Sequence, residues 1–270
     1  MRWLAMSLLA LCWVGESWAG AWSQPRGGYY AKLSGIDYST TEVFNDMGKR
    51  ALMGMDDNQF RARQVLAYGE YGLLERLTLT GQVGAGRLVS EDTFVERITW
   101  GLGDVHLGAK YQLTGGRLVL ASQVDVAFPS GYSREYDPAL GTGYSEQGTR
   151  LLAGLSLYPL PFYAGAEVGY KRRGGPFSNQ VSYFVELGAT PRQWLFAKGF
   201  VARVYTLAAD SAGGQVGVVQ VSEGDFAEVG GNVAVKVVGP LWIDLLWKSV
   251  FRGQNIGAGS SLGVGLALIH

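Results

Sequence analysis

Apolar and polar residues alternate with a period of two along most of the chain, the pattern of strands that keep one face in an apolar medium. In residues 77–85, Leu77, Leu79, Val83 and Ala85 alternate with Thr78, Thr80, Gln82 and Gly84. In 103–113, Val105, Leu107, Ala109, Tyr111 and Leu113 oppose Asp104, His106, Gly108, Lys110 and Gln112. The same division recurs near 118–128, 162–171, 180–187, 227–237, 241–248 and 261–268. Four further strands, near 29–38, 60–71, 149–158 and 193–206, are expected with less tidy faces, so the total is about twelve.

Turn chemistry divides these strands unequally. Tight Pro/Gly connections are expected at 72–75, 114–116, 159–161, 191–192 and 239–240. Long polar loops are expected near 39–59, 87–100, 129–147, 172–178, 207–224 and 251–257. An even number of strands with short turns on one side and long loops on the other predicts an all-β, antiparallel up-and-down transmembrane barrel. In that class the short turns and both chain ends face the periplasm. All eight prolines fall outside the expected strands, as a closed sheet that uses every ladder donor requires. Two aromatic girdles are expected: Tyr71, Tyr111, Tyr158, Phe162, Trp194 and Trp242 beside the turns, and Tyr38, Trp100, Phe128, Tyr170, Tyr183 and Phe251 beside the loops. A soluble sandwich or lipocalin-like barrel has the same period. The one-sided loops, the strand number and the double girdle argue against it.

The first residues read as a secretory leader, with Arg2, an apolar run over 4–14 and the small-x-small site Ser17-Trp18-Ala19. Cleavage is expected after Ala19, with a second site at Ala21, leaving 20–270 as the barrel domain. The only cysteine, Cys12, lies in the leader, so disulfides, thiol nucleophiles and cysteine metal sites are not expected. With 23 basic and 23 acidic residues the chain offers no basic face for nucleic acid. The longest later apolar stretch, 151–166, is broken by Pro159 and Pro161, so any membrane crossing must use strands.

If the apolar faces meet lipid, the lumen is lined by Asp104, His106, Lys110, Asp125, Glu167, Lys171, Glu186, Glu228, Lys236, Asp244 and Lys248, with Lys198 as a candidate addition. Mixed charge of this kind either orients polar solutes in a narrow pore or braces the barrel with ion pairs. Twelve strands lie between filled eight-stranded barrels and open porins, so a narrow or loop-plugged lumen is expected. His106, two residues from Asp104, is read as a luminal hydrogen-bonding group, because a lipid hydrolase would also need a serine beside it. The acidic loop residues Asp56, Asp57, Glu91, Asp92, Glu135, Asp137, Asp210, Glu223 and Asp225 are read as solvating their loops, with divalent-cation binding as the alternative. No metal, no nucleotide loop and no cofactor is expected.

Phe128-Pro129-Ser130-Gly131-Tyr132, Asp137-Pro138, Leu140-Gly141-Thr142-Gly143, Gly101-Leu102-Gly103-Asp104 and the run 169–175 join the early run 27–34. Together they resemble Gram-negative outer-membrane proteins labelled transporters of the meta-pathway of phenol degradation, or XagA-like proteins of surface polysaccharide and biofilm. The resemblance implies a monomeric barrel that passes an aromatic compound inward or a polysaccharide outward, and it supplies no catalytic residues. It departs at the end of the chain, where His270 stands in the register usually held by Phe or Trp. The expected function is thus passive, non-catalytic passage of small polar or aromatic solutes through a porin-like barrel. An accessory or export barrel for polysaccharide is the alternative, and a lipid-modifying enzyme the second. Expected partners are outer-membrane lipid and lipopolysaccharide, a small-molecule or polysaccharide cargo and a periplasmic protein.

Overall fold

A computed structural model describes residues 20–54, 58–207 and 224–270. The leader, Cys12, Asp56, Asp57, Asp210 and Glu223 lie outside the described residues. In chain order the strands are β1 (Tyr29–Thr40), β2 (Glu42–Phe44), β3 (Arg50–Leu52), β4 (Gln59–Leu74), β5 (Leu77–Glu91), β6 (Glu96–Gln112), β7 (Leu118–Phe128) and β8 (Glu146–Ser156). They continue as β9 (Phe162–Arg172), β10 (Gln180–Arg192), β11 (Leu195–Thr206), β12 (Asp225–Val238), β13 (Leu241–Gln254), β14 (Ile256–Gly257) and β15 (Ser260–Ile269). Twelve of these close an antiparallel barrel, and β14, β2 and β3 form a separate three-stranded sheet. Closure is made by β1, which pairs with β4 on one side and with β15 on the other, from Tyr30 opposite Ile269 to Ser39 opposite Ser260. A closed ring leaves no row of unpaired donors, which is the condition for strands to stand in hydrocarbon.

The period-two pattern sets which way each face points. Leu107, Val126 and Leu245 are 52%, 36% and 59% exposed on the outer wall. On the same strands Lys110, Asp125 and Asp244 are buried inside. The barrel therefore presents apolar side chains outward and encloses its charges, the arrangement that lipid around it demands.

Three expectations need correction. The long loop near 87–100 is a four-residue connection, because β5 continues to Glu91 and β6 starts at Glu96. Here Asp92 accepts hydrogen bonds from the amides of Phe94 and Val95 at 2.9 Å each. Those amides, the Phe94 N–H foremost, hold its carboxyl below the usual carboxylate range. Pro191 lies within β10, contrary to the expectation that no proline enters a strand. It is tolerated because the pairing with β11 shifts register between Ala189 and Arg192. Trp242 and Tyr38 do not belong to the outer girdles; at 9% and 4% exposure they face the interior. Their neighbours fix this parity: Trp242 stands opposite Ala267, which is buried, and Tyr38 packs on Phe60.

Candidate functional site

The lumen is stratified from the turn side to the loop side. Near the turns lies an aromatic layer of Tyr30, Phe196 and Trp242, against which Tyr68 and Tyr163 pack. Each is an inward position on its own strand, and Tyr163 stacks on Phe196 with ring centroids 6.2 Å apart.

Above it is a belt of ion pairs. Lys32 contacts Asp244 at 3.0 Å, and Asp244 also accepts from the Asn232 amide at 2.6 Å. Lys110 meets Glu70 at 3.4 Å, and Lys198 meets Glu186 at 3.0 Å. Arg150 joins Asp125 at 3.2 Å to Glu167 at 3.1 Å. Nearer the loops Glu146 takes both Lys171 and Arg173 at 3.3 Å, and Lys248 approaches Glu228 at 3.8 Å. Because water is largely excluded, each charge needs this compensation; an unpaired one would cost several kcal/mol.

Toward the loops the lumen also holds a large apolar cluster among the last of these ion pairs. Phe60, Ala62, Leu88, Phe184, Phe200, Val204, Phe226 and Leu246 point inward from the wall and form one cluster. Two loop elements complete it. Val43, Phe44 and Ile256 of the three-stranded sheet are buried in the cluster, as is Leu140 from the connection between β7 and β8. That connection is anchored by Ser130, which donates to the Leu102 carbonyl at 2.8 Å, and by Tyr132, which donates to Asp104 at 2.5 Å. Burial, and the Asp104 carboxylate beside it, push the Tyr132 phenol well above its usual range, so it remains a donor.

The turn side is occupied by residues 20–24, which run inside the barrel before β1 begins. Ala21 packs with Val119, Ala121 and Leu152. The Trp22 ring lies edge-on to Tyr163, and it fills the space that a side chain at position 154 would need. Ser23 and Gln24 donate their amides to Gln112 and Thr78 at 2.9 and 2.8 Å. Lys110 donates to the Gly20 carbonyl at 3.1 Å. Gly154 is thus required by close approach rather than by backbone angle.

Of the residues expected in the lumen, Asp104, His106, Lys110, Asp125, Glu167, Lys171, Glu186, Glu228, Asp244, Lys248 and Lys198 are buried or half-buried on the inner face. Lys236 shares their parity but is exposed at the turn-side rim, next to the register shift between Lys236 and Val238. Their partners Lys32, Glu70, Glu146, Arg150 and Arg173 escaped the sequence reading. Most of these lie on the untidy strands, where apolar residues occupy both faces. That same mixture was the available signal for the inward Phe196 and Phe200. His106 lies on β6 opposite Ala127 of β7 and Gln82 of β5. Four of the described loop acids are engaged in local structure: besides Asp92, Glu91 accepts from Gln59 at 2.6 Å, Asp137 pairs with Arg97 at 3.4 Å, and Asp225 accepts the Thr206 amide at 2.7 Å. Among the described residues no three histidine, cysteine or carboxylate groups come together as a metal site.

An outer-membrane channel from Pseudomonas putida F1 has the same fold, with a TM-score of 0.77, 13% identity and coverage of 95% of this chain and 100% of that one. The NanC porin aligns with a TM-score of 0.57, 8% identity and coverage of 88% and 98%. No family model and no curated protein matches the chain. A sealed ring of twelve strands with this inside-out polarity belongs in the bacterial outer membrane. The comparisons support the barrel and say nothing of an XagA-like role, which rests on the quoted residues alone.

Proposed function

We propose that the protein is a passive, gated outer-membrane channel for small amphiphilic solutes, aromatic compounds with a polar or ionised group in particular. The observation that carries this reading is how the lumen is stoppered. Twelve strands enclose more space than wall side chains alone fill. Here the remainder is taken up by segments of the same chain that are not part of the wall, residues 20–24 at one end and the sheet of β14, β2 and β3 with Leu140 at the other. A barrel built only as a brace has no need of stoppers contributed by segments outside its wall. The inward aromatic layers on both sides of a charged belt suit a ring with a polar substituent, whereas a polysaccharide would need a wide and continuous polar track.

In planar bilayers the full chain is expected to give small, infrequent conductance steps, and a variant lacking residues 20–24 larger and more frequent ones. Liposomes containing the barrel should admit benzoate faster than a trisaccharide. If neither form conducts, or if the trisaccharide enters equally fast, the reading fails and a sealed accessory barrel takes its place.

A further inference from the structure

The outward positions of three neighbouring strands change character at one level of the wall. On β4 they are apolar or small from Leu73 to Val65 and then become Arg63 and Arg61. On β5 they run from Leu77 to Ala85 and then reach Arg87, and on β1 they run from Tyr29 to Gly35 and then reach Asp37. Cross-strand register brings these changes together, since Asp37 stands opposite Arg63 and Arg63 opposite Arg87. Asp37 accepts from Arg63 at 2.9 Å, and both side chains are about half exposed or more, at 48% and 63%. Among the described residues no ion pair or hydrogen bond is formed by the side chain of Arg61 or Arg87. Three cations against one carboxylate leave a surplus of positive charge, and like charges directly opposite on paired strands repel.

This cluster borders a shallow trough of about 1450 Å³ that runs round the wall at one level, from Trp100 of β6 past Gly35 of β1 to Ala197 of β11. Gly35, Gly231 and Ala85 contribute little or no side chain there, and Val65, Leu262 and Trp247 rise around them. Above Gly35 a side chain would meet open space. Trp100, directly opposite Arg87 and 79% exposed, marks the water–lipid boundary on the loop side. The apolar outer face of these strands therefore ends in guanidinium groups at the boundary of the outer leaflet.

We propose that Arg61, Arg63 and Arg87 with the adjoining trough form a binding site for a phosphorylated, multiply acylated glycolipid of the outer leaflet, the lipid A part of lipopolysaccharide. A phosphate placed between Arg63 and Arg87 converts their repulsion into two charge-assisted contacts, for which the planar guanidinium is suited. The single phosphate of an ordinary phospholipid would satisfy fewer of the three. The site lies on the outer wall, so it stands whether or not the lumen conducts.

The test is lipid binding by the full-length barrel in neutral detergent, read by native mass spectrometry with purified lipid A, enzymatically dephosphorylated lipid A and phosphatidylglycerol as probes. Wild type and a turn-side control, Arg76→Gln, should bind lipid A equally. The pair Arg63→Gln with Arg87→Gln should bind about tenfold more weakly, which is about 1.4 kcal/mol. Wild type should bind the dephosphorylated lipid with a similar loss. Undiminished binding by the double variant, or by wild type to dephosphorylated lipid A or phosphatidylglycerol, would overturn the assignment. The two wild-type comparisons decide the matter if the double variant does not assemble, and unchanged conductance in a lipid-free variant separates this site from the channel reading.

Discussion

Arg150 shows how single residues hold the lumen together. Its guanidinium lies between Asp125 and Glu167 on the two neighbouring strands, with little exposure for any of the three. Replacing such a group by an apolar one of similar length leaves two carboxylates without a counter-charge in a dry interior. Arg150→Met is therefore expected to destabilise the barrel by roughly 3–5 kcal/mol, read from guanidinium unfolding in detergent. A loss below about 1 kcal/mol would mean that water reaches this level of the lumen and screens the orphaned carboxylates. The acids of this triad were legible from alternation alone. The arginine was not, because β8 carries apolar residues on both faces: Leu152 points inward while Leu151 and Leu155 point to lipid.

Strands, as elements, were read well where hydrocarbon lay on one side and paired charges on the other, as on β6, β7 and β13. Reading failed at two kinds of place. Beyond the boundary marked by Trp100, β5 and β6 continue to Glu91 and Glu96, and there the polar composition that suggests a loop is simply that of a hairpin in water. Inside the loop-side half, the lumen itself holds a large apolar cluster, so alternation loses its contrast. Glycines record this crowding. At Gly230 an added Cβ would lie 2.4 Å from Phe200, 2.7 Å from the Trp247 carbonyl and 2.9 Å from Lys248. The backbone atom cannot move aside without breaking the β12–β13 ladder. Gly230→Val is accordingly expected to abolish the heat-resistant band that folded barrels show on unboiled gels, whereas Gly35→Val, facing the open trough, should keep it.

At the scale of the whole molecule, the two stoppers differ in how they are attached. The loop-side cover is continuous with β1, β7 and β13 and buries large apolar side chains, while residues 20–24 are held mainly by hydrogen bonds and one aromatic ring. The turn-side stopper should therefore open more readily. A cysteine introduced as Ala21→Cys, at a position only 1% exposed, should react slowly with a membrane-impermeant maleimide added on the turn side. Adding Lys110→Met, which removes the donor to the Gly20 carbonyl, should speed the reaction about tenfold or more. Fast labelling in the single variant would show that the segment is already free. Its placement also bears on biogenesis. Gly20 sits within the cylinder beside the side chains of Lys110 and Glu186, so this segment lies where the staves already surround it on every side. It should then be laid down before the first and last staves meet, since a closed ring leaves no side entrance.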